Sequence, residues 1–135
     1  MREARVARFV RATPVVVERA LTPAAVVEYE GSFDVRDVTE TDDVTLVTAG
    51  ARGLELQYAF ETREDGLRYV QCEGGPLDAL ETTLTYTAED EGTRVTMAST
   101  VSAGLPLPVL TDRAAAWKRR GELRRALSRL AEDVA

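Results

Sequence analysis

The stretch PLPVLTDRAAAWKRRGELRRALSRLAEDVA, residues 106–135, decides the fold of this chain. Its apolar residues recur at helical spacing, which predicts one long helix beginning between Pro108 and Thr111 and ending near Asp133. At 100° per residue they fall on one broad stripe, formed by Val109, Ala116, Leu123, Leu127, Leu130 and Val134. A helix with such a stripe needs an apolar surface to cover, and the rest of the chain must supply it.

The first half of this helix is less regular than the second. Arg113, Arg120 and Trp117 are expected inside the apolar stripe or beside it. The opposite side, expected to be solvated, carries Arg119, Glu122, Arg125 and Arg129. Gly121 costs about 1 kcal/mol relative to alanine inside a helix, which indicates that room is needed beside Trp117. We therefore expect the second half to cover packed core and the first half to cover a cavity.

One strand and two short helices are predicted near the start of the chain. Residues 3–11 show enough alternation for a strand. Thr13-Pro14 and Thr22-Pro23 each place a capping residue before a proline, and Gly31 ends the second helix. Each helix has about two turns, so packing must hold it in place.

From residue 32 onward the apolar residues alternate, as they do in strands with one buried face. Six strands are predicted, with a break of phase near Asp37 and hairpin turns at Asp65-Gly66 and Asp90-Glu91-Gly92. The order is strand, two short helices, six strands and a long helix. This order predicts one α+β domain spanning residues 1–135.

This order of elements resembles the START-like superfamily, also called SRPBCC, and within it the polyketide cyclase/dehydrase and lipid-transport branch. The resemblance is carried by RFVRATPVVVERALT at residues 8–22, by the six successive strands and by the arginine-rich final helix. It covers nearly the whole chain and implies a helix-grip fold, in which a curved antiparallel sheet of about seven strands wraps the long helix around a deep cavity. Members bind lipids, sterols, polyketides, hormones or quinones, and only some are enzymes.

The strand register around Asp65-Gly66 decides which side chains face the expected cavity. If these two residues form the turn, Tyr58 lies opposite Glu73 and Phe60 opposite Gln71. We expect an amphipathic pocket with walls of Tyr58, Phe60, Tyr69, Tyr86, Met97 and Trp117, and with polar groups from Gln71, Glu73, Arg113 and Arg120. A register slip of one residue would turn Glu73 outward.

The alternative is that these residues have structural roles only. The aromatic residues would then belong to the core, and Arg113 and Arg120 would bury their apolar stems while their guanidinium groups reach solvent at the rim. Tyr29 and Phe33, near the second short helix, are expected to support the entrance.

Composition excludes several classes of function. The chain has no histidine and one cysteine, Cys72, which removes histidine-based triads, a cysteine metal cluster and an internal disulfide. Cys72 neighbours an acid and is expected to be unreactive. Twenty-three acids against seventeen bases give a formal net charge of −6, which disfavours a nucleic-acid partner. Acid excess with a single lysine is typical of salt-adapted proteins, or of a genome that favours arginine codons.

No secretory signal or membrane span is predicted, so we expect a cytoplasmic protein. CEGGP at residues 72–76 is interpreted as a bulge or strand break, because no helix and no lysine follow it as in a phosphate loop. ETDD at residues 40–43 is interpreted first as a polar hairpin turn, and a weak cation site at the same residues is the alternative. No metal or cofactor is expected.

Three functions compete at this point. The first is non-catalytic binding of a hydrophobic or amphipathic small molecule, such as a lipid, quinone or polyketide-like compound. The second is a cyclase or dehydratase in which a tyrosine or Glu73 acts with an arginine. The third, implied by the resemblance, is a protein-interaction module associated with a chaperone or the ribosome, which would use Arg119, Arg125 and Arg129 on the back of the helix.

Overall fold

The computed structural model describes residues 1–75, 77–106 and 108–135. Its elements are β1 (Arg2–Val10), α1 (Pro14–Ala20), α2 (Pro23–Glu30), β2 (Asp34–Glu40), β3 (Thr45–Ala51), β4 (Leu54–Arg63), β5 (Gly66–Gly74), β6 (Ala79–Glu89), β7 (Gly92–Ser102) and α3 (Pro108–Val134). The strands form one antiparallel sheet in the order β1-β7-β6-β5-β4-β3-β2. The predicted α+β architecture and the long C-terminal helix are therefore confirmed.

Several turns follow directly from local sequence. Asp90 and Glu91 have φ angles of 44° and 65° and join β6 to β7, as in the two-residue turns that match strand twist. The predicted polar turn between β2 and β3 closes with a 2.9 Å bond from the Thr41 amide to the Val44 carbonyl. A register shift between Val35 and Asp37 explains the break of alternation in β2.

The end of α2 is tied to α3 by two arginines. Gly31, at φ 78°, ends α2 in the left-handed conformation that favours glycine. The last carbonyls of α2 accept hydrogen bonds from α3: Arg125 Nη1 donates to Glu30 O at 2.7 Å, and Arg129 Nη1 donates to Glu28 O at 3.2 Å. Both side chains are exposed, as predicted, but they also cap α2 and so fix the position of Glu30.

The second half of α3 covers packed core. Leu123, Leu127 and Leu130 are buried, and the helix lies against β1, β7, α1 and α2. This part of the helix prediction is confirmed.

The buried face of the first half differs from the prediction. Val109 and Trp117 are 72% and 76% exposed, whereas Asp112 and Arg119 are 2% and 1% exposed. The buried face of the helix consists of residues 112, 116, 119, 122, 123, 126, 127 and 130, because spacings of three and four place residues on one side of a helix. The prediction that Arg119 and Glu122 are solvated is wrong.

The β4–β5 hairpin also differs in register. Arg63 pairs with Gly66, so Glu64 and Asp65 form the turn, and Tyr58 lies opposite Gln71 rather than Glu73. A slip of two residues keeps each side chain on its predicted face. Between Tyr58 and Gln57, however, the pairing passes over one residue, Cys72. The interpretation of this stretch as a bulge is confirmed, with Pro76 outside the described residues.

Candidate functional site: a cavity beside a buried arginine

A cavity of about 180 Å³ lies between the sheet and the first half of α3. Its lining comes from β4, β5, β6, α3 and the segments beside them, and consists of Phe33, Tyr58, Gln71, Leu77, Leu80, Ala115, Lys118, Arg119 and Glu122. Larger hollows of about 480, 470 and 410 Å³ are surface clefts near the β6–β7 turn, the β2–β3 turn and the outer face of α3. The cavity is the hollow that corresponds to the helix-grip site.

Arg119 forms the polar end of this cavity. Its guanidinium forms hydrogen bonds with both carboxylate oxygens of Glu30, one of them at 3.2 Å, and with one oxygen of Glu122 at 3.3 Å. The same group donates to three hydroxyls at 2.9 to 3.0 Å, those of Tyr69, Thr82 and Ser99. All three nitrogens of the guanidinium are therefore engaged with protein groups.

These contacts offset the cost of burying a charge. Burial alone lowers the pKa of the Arg119 guanidinium, but the charge of Glu30 and the other partners raise it overall, so the group stays ionised. The two hydroxyls of Thr82 and Ser99 face each other across β6 and β7 at 2.6 Å. Within the described residues, no fully buried side-chain nitrogen or oxygen lacks a partner.

Three aromatic rings pack beside the Arg119 cluster, which comprises Arg119 and its partners Glu30, Tyr69, Thr82, Ser99 and Glu122. Phe60 and Tyr69 are stacked with ring centres 4.4 Å apart, and Tyr58 meets Tyr69 edge to face at 5.8 Å. The Tyr69 hydroxyl donates to Glu30, and its ring lies 5.9 Å from the Arg119 guanidinium carbon. Burial and the charge of Glu30 raise the pKa of Tyr69 well above its ordinary value, so the hydroxyl keeps its proton.

Tyr58 has the hydroxyl that remains available to the cavity. Its side chain is 4% exposed and lines the cavity, and it has no hydrogen-bond partner in the described part of the chain. Burial and the charge of Glu30 raise its pKa, so it stays protonated at neutral pH. It is a hydrogen-bond donor on a largely buried side chain, and its hydroxyl is reached from the cavity.

Lys118 and Glu122 border the cavity where it approaches solvent. Lys118 Nζ lies 3.3 Å from Glu122 Oε2, which also accepts a hydrogen bond from Ser32. Burial raises the pKa of Glu122, but the charge of Arg119, the Ser32 hydrogen bond and the charge of Lys118 together lower it. Glu122 is therefore an ionised carboxylate held by three partners.

Four residues predicted to line the pocket lie elsewhere. Trp117 and Arg113 are exposed, and Arg120 borders the surface cleft on the outer face of α3. Their inward placement is wrong because the buried face of α3 is rotated toward Arg119. Glu73 is also exposed, since the bulge at Cys72 reverses the alternation of β5.

The remaining predicted residues divide between cavity and core. Tyr58 and Gln71 line the cavity, and Gln71 Nε2 donates to the carbonyls of Gly74 and Leu77 at 2.7 and 2.9 Å. Phe60 and Tyr69 pack behind it. Met97 is fully buried under the second half of α3, and Tyr86 is half-buried beside Glu18. Contact with a ligand remains a prediction for all of them.

Sequence reasoning missed the polar cluster at the centre of the site. Arg119 was detectable, because it lies three residues after Ala116 and four before Leu123, which places it on the same helical face. Glu30, at the end of α2, and Ser99, in β7, gave no local signal, since their roles depend on contacts far along the chain. Phe33 borders the cavity, whereas the Tyr29 hydroxyl donates to Asp133 at 2.5 Å.

Comparison with solved structures places this architecture among START-like folds. A protein of Thermus thermophilus, TTHA0849, is 23% identical, with 98% of this chain and 97% of that chain covered at a TM-score of 0.79. A START superfamily protein from Mycobacterium smegmatis is 12% identical, with 98% and 99% covered at a TM-score of 0.76. The di-domain ARO/CYC protein BexL, of the BE-7585A biosynthetic pathway, is 17% identical, and the match covers 99% of this chain and 50% of BexL at a TM-score of 0.74.

These likenesses establish a START-like helix-grip fold for the chain. No protein-family model matches the sequence, and no curated protein matches it. Across the described residues, no helix combines the length and apolar character needed to cross a membrane. The same residues contain no group of three or more acidic or cysteine side chains placed to hold a metal ion.

Proposed function

We propose that the protein binds a hydrophobic or amphipathic small molecule in the cavity between the sheet and the first half of α3, without catalysing a reaction. The observation that carries this proposal is the unfilled space itself, bordered by Tyr58, Leu80 and Ala115 and closed at one end by the Arg119 cluster. We further propose that Tyr58 and Gln71 contact the ligand.

The two halves of α3 differ in how closely they are packed against the sheet, and this difference supports the proposed binding function. Under the second half, Met97, Leu84 and Leu127 pack so closely that no water molecule fits between them. Protein cores are normally filled to this density, and empty space costs stability. The hollow under the first half therefore indicates a site that another molecule fills.

The state of the polar groups favours binding over catalysis. A general base needs a free carboxylate, and an electrophilic arginine needs a free guanidinium edge. Glu30, Glu122 and Arg119 are instead engaged with one another and with hydroxyls. The START and ARO/CYC names of the structural neighbours support small-molecule binding as the common theme of the fold.

The experiment is to fill the cavity and measure binding of a small neutral aromatic probe such as ethylbenzene by amide chemical-shift changes. Ala115→Phe places a ring in the cavity and should reduce affinity at least tenfold. Ala114→Phe, one residue earlier on the exposed side of α3, is the matched control and should bind as the wild type does. Equal affinity in both variants would overturn the proposal.

A second candidate is supported by the outer face of α3. Trp117 is 76% exposed on a protein of net charge −6, and it borders a cleft together with Arg120, Arg124 and Arg125. Tryptophan and arginine are the residues most often found at the centres of protein interfaces. This surface would suit an acidic protein partner.

Two variants separate the candidates. Arg120→Glu removes the charge complementarity, and Ala115→Phe fills the cavity. If Arg120→Glu impairs the biological role of the protein and Ala115→Phe leaves it intact, the interaction surface is the functional site. If Ala115→Phe impairs it and Arg120→Glu does not, the cavity is the functional site.

A further inference from the structure

The volume of the cavity limits the size of what it can hold. An engineered cavity of about 150 Å³ in another protein binds benzene, whereas pockets for drug-sized ligands span roughly 300–1,000 Å³. At about 180 Å³, this cavity has room for one ring with a short substituent. A fused polycyclic compound or a long acyl chain exceeds it.

The charges around the cavity limit the ligand further. The three buried ionised groups are Arg119, Glu30 and Glu122, with a formal sum of −1, and Lys118 at the rim brings it to zero. Every nitrogen of the Arg119 guanidinium already has a protein partner. Among the described residues, an anionic ligand would therefore find no free buried cation, and it would lie beside the Glu122 carboxylate. A neutral ligand avoids this cost.

Among the described lining residues, Tyr58 contributes the one side-chain hydrogen-bond donor without a protein partner, since Gln71, Lys118 and Arg119 all donate to protein groups. It is a protonated donor without a partner in the described residues, and it borders the cavity. Since no fully buried polar side-chain atom of those residues lacks a partner, solvent reaches this hydroxyl. A ligand that displaces the solvent must supply an acceptor oxygen, or the donor is left unpaired at a cost in free energy. Gln71 does not compete for this role as a donor, because its amide nitrogen is already bonded to two carbonyls.

We propose that the cavity takes a neutral, single-ring carbonyl compound whose oxygen accepts a hydrogen bond from Tyr58, while Phe33, Leu80 and Ala115 contact the ring. This inference rests on the proposed binding function and narrows it to one chemical class.

The test uses four probes on the intact protein, with dissociation constants from amide chemical-shift changes. Acetophenone has the ring, the carbonyl and no charge; ethylbenzene lacks the oxygen, benzoate carries a charge, and palmitate represents a long acyl chain. Acetophenone should bind about three- to tenfold more tightly than ethylbenzene, the range of one hydrogen bond, and benzoate and palmitate should bind more weakly than either.

Tyr58→Phe provides the specific control. It should lower acetophenone affinity to that of ethylbenzene and leave ethylbenzene unchanged, because only the hydroxyl is removed. The variant is expected to fold, since that hydroxyl makes no hydrogen bond in the described residues.

The outcomes separate the two levels of the proposal. If no probe binds and no apolar molecule accompanies the purified protein, the binding function itself fails. If palmitate binds and acetophenone does not, binding stands and the size limit is wrong. If benzoate equals acetophenone, or Tyr58→Phe changes nothing, the neutral carbonyl class is wrong.

Discussion

Arg119 and Glu30 form a buried ion pair that joins the middle of α3 to the end of α2 across 89 residues of sequence. Arg125 caps the carbonyl of the same Glu30, so one residue of α2 has both a backbone partner and a side-chain partner on α3. Arg119 lines the polar end of the cavity, and Glu30 lies behind it. Because the guanidinium of Arg119 is fully engaged with protein groups, the pair has a structural role, and it also determines which polar groups a ligand meets.

The first prediction concerns this pair. Arg119→Met should destabilise the protein by about 3–5 kcal/mol, because it leaves the Glu30 carboxylate buried without its cation. Adding Glu30→Gln should recover a substantial part of that loss. Urea unfolding measures both, with Arg120→Met, on the outer face, as a control within about 0.5 kcal/mol of wild type. A single Arg119→Met variant as stable as the control would contradict the assignment.

The second prediction compares two tyrosines. Tyr69→Phe should cost about 1–3 kcal/mol, because its hydroxyl bonds to Glu30 and Arg119, which would both lose a partner. Tyr58→Phe should change the free energy of unfolding by less than about 0.5 kcal/mol or stabilise the protein, since its hydroxyl has no partner in the described residues. Denaturant titrations of the two variants measure the difference. Equal effects would show that Tyr58 is also bonded.

The third prediction concerns acid stability. The folded pKa of Glu122 lies below its ordinary value of 4.5, so its ionised form stabilises the protein above that pH, and the contribution is lost as the pH falls through the folded pKa. Glu122→Gln should therefore be less stable than wild type at pH 7, with the gap closing below about pH 4.5. Urea midpoints from pH 7 to pH 3 measure this gap. Ser32→Ala, which removes one of three partners, should reproduce part of the effect. A gap that stays constant with pH would be inconsistent with a lowered pKa.

The fourth prediction concerns Trp117, the single tryptophan of the chain. Its side chain is 76% exposed, so its fluorescence should resemble that of tryptophan in water and should be quenched readily by acrylamide. Trp117→Ala should change stability by less than about 0.5 kcal/mol, whereas loss of a core tryptophan costs about 3–5 kcal/mol. Blue-shifted emission with poor quenching would place the ring inside.

The fifth prediction concerns Gly121. Apart from its chain neighbours and the adjacent helix backbone, a methyl group at this position would meet no described atom within 4 Å, so space is not the reason for the glycine. Gly121→Ala should stabilise the protein by about 0.5–1 kcal/mol through helix propensity alone, and should leave ligand affinity unchanged. Thermal unfolding and probe titration measure the two effects. Ala114→Gly, at an exposed position of the same helix, should show the opposite change.

Local patterns in the sequence were enough to predict the elements of the fold. The proline-led helices, the alternating strands, the phase break in β2 and the long final helix each depend on residues close together in the chain. Even the bulge at Cys72 was indicated by the glycine pair that follows it. Such features are predictable because backbone preference and burial period act over a few residues.

What faces the cavity depended on small rotations and distant partners. The buried face of α3 is rotated from the predicted one, so that Arg119 is buried and Trp117 is exposed. Because Cys72 in β5 is unpaired, Glu73 lies at the surface rather than in the cavity. The charge of Arg119 is tolerated only because Glu30, Tyr69, Thr82 and Ser99 converge on it from α2, β5, β6 and β7. The sequence by itself determined the sheet and helices that enclose the cavity, because the spacing of apolar residues acts over a few neighbouring positions. Only the tertiary structure decided its lining, because the burial of a charge is settled by partners that meet after folding.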